Sequence, residues 1–276
     1  MPDLTPTELW RRYDDDEQRL SAHVSERMLD LAGVRPGLRV LDIASGRGEP
    51  ALRAAARVAP QGHVLGTDRS DDMLAFARER ARQANIANLS LQVADAQTLD
   101  GVPEQAFDVA LCRWGLMYLP QPRQALAAIA GRLVADGCFV AASWAEPARV
   151  SYWTMPRDVL ARQVALPAID EAQPGPFQHA RPERLRADLE AAGFAVEHEE
   201  ELFTAVMESA TPAGLVAWCE AFGLGRLLDA HPAAVREAWE RDMTQAAAGW
   251  RDADGLYRLG GVTRLTLARL RAPRRA

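Results

Sequence analysis

Up to residue 144 the apolar positions fall into short continuous runs, each followed by a longer stretch in which they recur every third or fourth residue. Such a run predicts a buried strand, and the stretch after it an amphipathic helix. Residues 7–32 come first, with Leu9, Trp10, Leu20, Val24, Met28 and Leu31 on a helical period and Gly33 as the stop. Strand 38–43 leads to helix 49–59, strand 63–68 to helix 71–84, strand 89–94 to a short loop region, and strand 107–112 to helix 121–135. Strand 138–143 ends the series. Alternation of this kind predicts an α/β fold, a parallel sheet covered by helices on both faces.

The remainder is less regular. Pro147, Pro156, Pro167, Pro174 and Pro176 lie among apolar residues in 145–180, which predicts a helical insertion broken by loops. Helix 181–192 ends at Gly193, residues 194–207 have the partial alternation of a strand, and 211–250 are again helical, with Trp218, Trp239 and Trp250. Residues 262–270 predict a strand that returns antiparallel beside 194–207, and the basic end RAPRRA a solvated tail.

Within this pattern the run LRVLDIASGRGE at 38–49 points to chemistry. Val40, Leu41 and Ile43 form the strand, Gly46 and Gly48 make a turn with no side chain to block a ligand, and a helix follows with Pro50 in its first turn. A nucleoside-bearing cofactor at the carboxyl end of a parallel sheet needs this arrangement, although α/β domains without cofactors also contain it. Acids at or near the ends of the first three strands, Asp42, Asp68 and Asp95, narrow the choice. Asp68, 26 residues after Asp42, falls where a carboxylate reaches a ribose diol. Asp95 offers an acceptor to an adenine amino group, which a nicotinamide dinucleotide does not need, and a third glycine at pyrophosphate-binding spacing is missing. Turn or cap roles for Asp68 and Asp95, and a role for Asp42 in fixing the glycine turn, are the competing readings.

Composition excludes other chemistry. The 276 residues are 48% hydrophobic and 25% charged, an ordinary globular makeup, and the net charge of −6 argues against a nucleic-acid partner. All 32 basic residues are arginine, which excludes Schiff-base chemistry and a P-loop. Cys112, Cys138 and Cys219 lie far apart without metal-ligand spacing, so no metal is expected and a reducing cytoplasm fits. No apolar run suits export or membrane insertion.

The series VLDIASGRGEPAL, VLGTDRSDDMLAFARERA, ADAQTL and FDVALCRWGLMYLPQPRQALAAIAGRLVADGCFVAASW resembles the class I S-adenosylmethionine-dependent methyltransferases, in their quinone-biosynthesis and natural-product small-molecule branches. The resemblance covers about residues 8–146, and the pair 194–207 and 262–270 is similar to that family's closing hairpin. It implies a Rossmann-like seven-stranded sheet, mostly parallel with an antiparallel last strand, helices on both faces, and a helical cap over the active site. The implied cofactor-binding core is 1–146 with 181–207 and 255–276, and the implied substrate cap is 147–180 with 211–250.

The resemblance also implies site roles. Backbone around Ala44, Gly46 and Gly48 lies against the methionine moiety, Asp68 holds the ribose hydroxyls, and Arg69 and Met73 flank the adenine. Asp95 accepts from the adenine amino group, Ala96 donates its N–H to the ring, and Arg113 and Trp114 border the methionine and the acceptor. Tyr13 resembles a tyrosine of the family's N-terminal lid helix, with packing of that helix as the alternative. Ala44-Ser45 departs from the more usual Gly-Cys or Gly-Ala of the turn.

Methyl transfer from a sulfonium needs positioning and exclusion of water more than a general base. His179, in the proline-rich insertion, is the one candidate base, with a structural role as its alternative. Trp144, Trp153, Phe177, Trp218 and Phe222, with Trp114, Met117 and Tyr118 at the pocket floor, suit a flat or hydrophobic acceptor, or else form ordinary core. The expectation is therefore a cytoplasmic O- or C-methyltransferase of a small metabolite, monomeric or homodimeric, with no nucleic-acid or membrane partner. Its rivals are a non-methylating enzyme that keeps the cofactor, such as a pericyclase, an NAD-dependent oxidoreductase, and a nucleic-acid or protein methyltransferase.

Overall fold

The computed structural model describes residues 6–271, so the tail beyond Arg271 lies outside the described residues, as do the side chains of Leu9 and Trp10. In chain order the elements are α1 (Pro6–Leu31), β1 (Arg39–Ile43), α2 (Ala51–Val58), β2 (His63–Asp68), α3 (Asp71–Gln83), β3 (Leu89–Val93) and β4 (Phe107–Arg113). There follow α4 (Pro122–Arg132), β5 (Leu133–Trp144), α5 (Ser151–Leu160), α6 (Pro182–Ala191) and β6 (Phe194–Ser209). Last come α7 (Pro212–Cys219), α8 (Gly225–Asp229), α9 (Ala233–Ala246) and β7 (Tyr257–Leu270), with a π-helical turn at Glu220–Leu224 between α7 and α8.

The strands form one seven-stranded sheet in the order β3-β2-β1-β4-β5-β7-β6. The first five in that order run parallel, with Val40 beside Val64 and Val109, and Val109 beside Cys138. β7 runs antiparallel to β5, from Cys138 opposite Arg269 to Trp144 opposite Thr263. β6 is the outer strand, and Arg258, Arg264 and Arg269 of β7 pair with Glu208, Glu201 and Glu197 in reverse order, the signature of an antiparallel neighbour. These cross-strand pairs account for Glu197 and Glu201, while Glu199 pairs with Arg186 of α6 and Glu200 with Arg27 of α1; the charge of this stretch also discourages further pairing at the open edge.

The apolar runs of β1, interrupted by Asp42 alone, and of residues 109–112 in β4 follow from burial on both sheet faces. Leu41, Ile43, Ala110, Cys112, Phe139 and Ala141 pack with Leu126 and Ile129 of α4 and with Leu185 and Leu189 of α6. The alternate residues Val40, Val109, Leu111, Val140 and Ala142 pack with Met28 of α1 and with Ala51, Ala54 and Val58 of α2. This places helices on both faces, with the turns after β1 and β4 at the carboxyl edge between them.

Two expected boundaries change. The helix expected over 121–135 ends at Arg132, and β5 begins at once rather than at 138. Leu133 pairs with Phe107, residues 134–137 bulge out with Asp136 at φ 61°, and regular pairing resumes at Cys138. β7 begins at Tyr257 rather than 262.

By contact density the chain divides into two units. One holds Ala22–Trp144, Glu171–Leu202 and the chain from Thr263, which includes most of the sheet. The other holds the chain up to Ser21, Ala145–Asp170 and Phe203–Val262, with α5, α7, α8 and α9. Inside it Trp239 is fully buried and donates its Nε1–H to the Pro156 carbonyl at 3.0 Å. No helix among the described residues is long and apolar enough to cross a membrane.

Candidate functional site

The glycine turn is held by its own backbone and by the strand beside it. Ser45 N–H donates to the Thr67 carbonyl at 2.8 Å, Gly46 N–H to Asp68 Oδ2 at 2.9 Å, and Gly48 N–H to the Ser45 carbonyl at 2.8 Å. Gly46 has φ 52°, and a Cβ built there would meet no atom within 4 Å, so the turn faces open space. Gly48 differs: at φ 96° its Cβ would stand 2.8 Å from Leu52 Cδ1. One glycine leaves open space beside the turn, and the other lets the turn pack on Leu52 of α2 and Ala77 of α3. Ala44 itself sits at φ 53°, the left-handed region that normally favours glycine. The departure from the usual Gly at this position is therefore tolerated at the expense of local strain.

Asp42 is fully buried, and its Oδ2 accepts the Ala51 N–H at 3.0 Å, satisfying one of the orphan donors at the start of α2. Pro50 precedes that helix as its N-cap residue rather than lying in its first turn. Burial pushes the Asp42 carboxyl well above the usual carboxylate range, against the opposing pull of Arg113. Its Oδ1 has no protein partner. Asp42 thus ties the end of β1 to the start of α2, just beyond the turn.

Asp68 is half-buried at the end of β2, and its Oδ1 accepts the Ser70 N–H at 2.9 Å while Oδ2 accepts that of Gly46. Two ionised oxygens offer about four lone-pair positions, so two remain for a ligand's hydroxyls. Asp95 is exposed, and its Oδ1 accepts the Gln97 N–H at 2.9 Å, an Asx turn in the loop after β3. Both acids thus do turn work and keep acceptor capacity. Arg69 is exposed, Met73 and Ala96 are half-buried, and the Met73 N–H is capped by Ser70 Oγ at the start of α3.

The carboxyl ends of β4 and β5 carry a stack. The rings of Trp114 and Trp144 lie 4.7 Å apart and 9° from parallel, and the Arg113 guanidinium carbon is 4.8 Å from the Trp114 centroid. Trp114 takes φ 53° while its N–H extends the sheet to the Ala142 carbonyl at 3.0 Å, and its indole Nε1 is buried without a partner. A bulky residue held in this region is a local strain, the kind that functional sites retain.

Other expected positions fall elsewhere. Met117, Trp144 and Phe177 are buried rather than open as acceptor walls, while Tyr118 is exposed. The Met117 carbonyl accepts the Gly175 N–H at 2.9 Å, and Gln178 Nε2 donates to the Leu119 carbonyl at 3.0 Å. These bonds place 171–180 with the sheet unit, not with the helical insertion expected over 145–180. His179 is consequently 1% exposed, with Nε2 3.3 Å from Asp188 Oδ2. Burial raises the Asp188 carboxyl, but the bonds from His179 and Arg123 prevail and hold it below its usual range. A general base must reach its proton, and this imidazole is enclosed. The cysteines are also enclosed: burial raises Cys112 and Cys219 to about 12 and Cys138 to about 11.

In the other unit, half-buried rings form a chain. Tyr13 meets Phe222 edge-on at 5.3 Å, Phe222 lies 5.0 Å from Trp218, Trp218 6.2 Å from Tyr152, and Tyr152 6.4 Å from Trp153. Phe222 lies in the π-helical turn, a feature frequent at functional sites. Sequence reasoning missed Tyr152, although it adjoins Trp153. It also passed over Glu49 and Arg80, which hold the exit of the glycine turn; Glu49 with Arg53 at helical spacing was the available signal.

A strand-turn-helix with clear space before its glycine, and with an acid from the next strand bonded to that glycine, is the arrangement in which Rossmann-like folds receive a nucleoside cofactor. The chain belongs to the methyltransferase domain family, whose model matches residues 35–175. S-adenosyl-L-methionine is the cofactor of such domains, and the open face of Gly46 with the spare acceptor positions of Asp68 fits it. An aklanonic acid methyltransferase from Streptomyces sp. strain C5 is 38% identical over 38% of this chain and 47% of its own length. The chain thus spans about half the length of that relative. Nocamycin O-methyltransferase from Saccharothrix syringae is 28% identical over 86% of this chain and 89% of its own. Among solved structures, the (4+2) cyclase SpnF is similar with a TM-score of 0.58 and 20% identity, covering 93% of this chain and 83% of that one. At that identity the likeness concerns the fold alone.

Proposed function

We propose that this protein is an S-adenosyl-L-methionine-dependent methyltransferase that methylates an oxygen or carbon of a small aromatic or hydrophobic metabolite in natural-product or quinone-type metabolism. The observation that carries the reading is the Gly46 turn, open at its φ 52° glycine and held by Asp68. The curated relatives named for aklanonic acid and nocamycin methylation support the acceptor class.

Bound there, the cofactor supplies a methyl group already activated on a positively charged sulfur. The residues of this chain bind and orient it: the turn backbone of Ala44, Gly46 and Gly48, Asp68 at the ribose, and Asp95 with Ala96, Arg69 and Met73 at the adenine. Arg113 and Trp114 sit toward the methionine end. Alignment of the acceptor with that methyl contributes ~7–11 kcal/mol in well-oriented systems, which makes a dedicated base dispensable. In this reading acceptor selection falls to the helical segments 147–170 and 211–250, whose unit holds the chain of rings from Tyr13 to Trp153. The protein acts in the cytoplasm as a monomer or homodimer, without nucleic-acid or membrane partners.

Calorimetric titration with S-adenosylhomocysteine is the first test, and absence of binding refutes the reading. Release of S-adenosylhomocysteine in the presence of phenolic, enolic and quinone acceptors is the second. Binding without release across that panel favours cofactor-assisted chemistry of the cyclase kind over methyl transfer.

A further inference from the structure

The entry of the glycine turn is held by Asp68, and its exit by a different device. Arg80 of α3 donates from one guanidinium nitrogen to the Arg47 carbonyl at 2.7 Å and from the other to Glu49 Oε1 at 3.3 Å. Glu49 Oε2 accepts from Arg53 Nε of α2 at 3.0 Å, and the Glu49 side chain is only 6% exposed. A carboxylate so buried requires its charge partners, and here two guanidiniums from two helices supply them. Arg53 in turn donates to Glu26 of α1 at 2.9 Å, and Arg57 bonds both Glu26 and Asp30. The alternating line of arginine and acid therefore runs from α3 through the turn and α2 to α1.

The peptide between Arg47 and Gly48 is consequently held at both ends. Its carbonyl accepts from Arg80, and its N–H donates to the Ser45 carbonyl. Gly48 is a backbone position with φ 96°, so little in its own side-chain chemistry fixes the orientation of that peptide. A planar fork spans the carbonyl and the carboxylate together, which a single ammonium does less well.

We propose that Arg80, acting through the Arg47 carbonyl and Glu49, is a positioning residue for cofactor binding: it holds the exit of the glycine turn in the shape that accepts S-adenosylmethionine. The inference rests on the reading of the turn as the cofactor site. Wild-type protein is therefore titrated first, and failure of wild type to bind S-adenosylhomocysteine overturns that underlying reading rather than the role of Arg80.

The test compares Arg80→Met, Arg80→Lys, Glu49→Gln and, as a control, Arg78→Met, whose arginine pairs with exposed Asp71 on the same helix. Dissociation constants for S-adenosylhomocysteine are measured by calorimetry well below each variant's melting temperature. Arg80→Met is expected to weaken binding at least tenfold, Arg80→Lys to recover part of the loss, and Arg78→Met to bind as wild type. The double variant Arg80→Met with Glu49→Gln is expected to lose less than the product of the single losses. A merely structural tie between helices lowers melting temperature yet leaves the affinity of the folded protein within twofold of wild type, and that result overturns the proposal. Where Arg80→Met does not fold, Arg80→Lys decides: affinity equal to wild type overturns the proposal, and weakened affinity with a folded spectrum supports it.

Discussion

Alanine at Gly46 and at Gly48 should separate a residue that clears space for the cofactor from one that packs the turn. At Gly46 a methyl meets no atom within 4 Å, so the folded chain suffers only the left-handed backbone. That strain is ~1–2 kcal/mol for a residue other than glycine, and Ala44 already bears it at φ 53°. For a protein of this size each kcal/mol lowers the melting temperature by about 2–4 °C. The same methyl projects into the space assigned to the cofactor, and S-adenosylhomocysteine affinity should fall at least tenfold, equivalent to ~1.4 kcal/mol. At Gly48 the new Cβ would stand 2.8 Å from Leu52 Cδ1 and 3.2 Å from the Ala77 Cβ, in addition to φ 96°. Overpacking of that kind costs about 1–3 kcal/mol beyond the backbone strain, so Gly48→Ala should melt well below Gly46→Ala. Scanning calorimetry and ligand titration on both variants provide the comparison. A folded Gly46→Ala that binds S-adenosylhomocysteine as tightly as wild type refutes the placement of the cofactor against this turn.

Four further outcomes are expected. Ala44→Gly removes a left-handed alanine and should raise stability by ~1 kcal/mol, read as a higher melting temperature. Asp68→Asn exchanges an ionised acceptor for an amide that can face only one of the Gly46 and Ser70 N–H groups with its oxygen; S-adenosylhomocysteine affinity should fall ~10- to 100-fold, within the range for a charged hydrogen bond. The Arg27 guanidinium, bonded at 2.6 and 2.7 Å, holds Glu200 down at about 2 from an ordinary 4.5. A depressed carboxylate contributes stability above its unfolded value that is lost as pH falls toward the folded one, so Glu200→Gln should flatten the acid limb of thermal stability between about pH 4.5 and 2. His179→Asn should lower the melting temperature through loss of the enclosed pair with Asp188 and leave the pH profile of turnover unchanged; disappearance of the acid limb of that profile, where a required base would become protonated, restores His179 as the base.

What the sequence revealed, and what it concealed, divides along local and tertiary causes. The strands were legible because a parallel sheet buries both faces, and that burial writes unbroken apolar runs such as Val109 to Cys112 into the chain. The turn was legible for a related reason, since glycines at φ 52° and 96° satisfy a backbone demand that few residues meet. The start of β5 was not, because the bulge at 134–137 pairs Leu133 with Phe107 before the regular register begins, and a helix period continues plausibly across it. His179 shows the sharper limit. Proline and glycine around it mark a surface loop, yet it is buried and paired with Asp188 of α6, itself bonded by Arg123 of α4, through contacts that no local pattern encodes. Arg80 shows the converse. On α3 it is one arginine among several at 78–82, and only the fold distinguishes it, by bringing its fork to the carbonyl of Arg47 and the buried carboxylate of Glu49. Chemistry carried by backbone conformation was therefore visible in residue type, whereas chemistry carried by a charge partner became visible only once the partner's helix had a place.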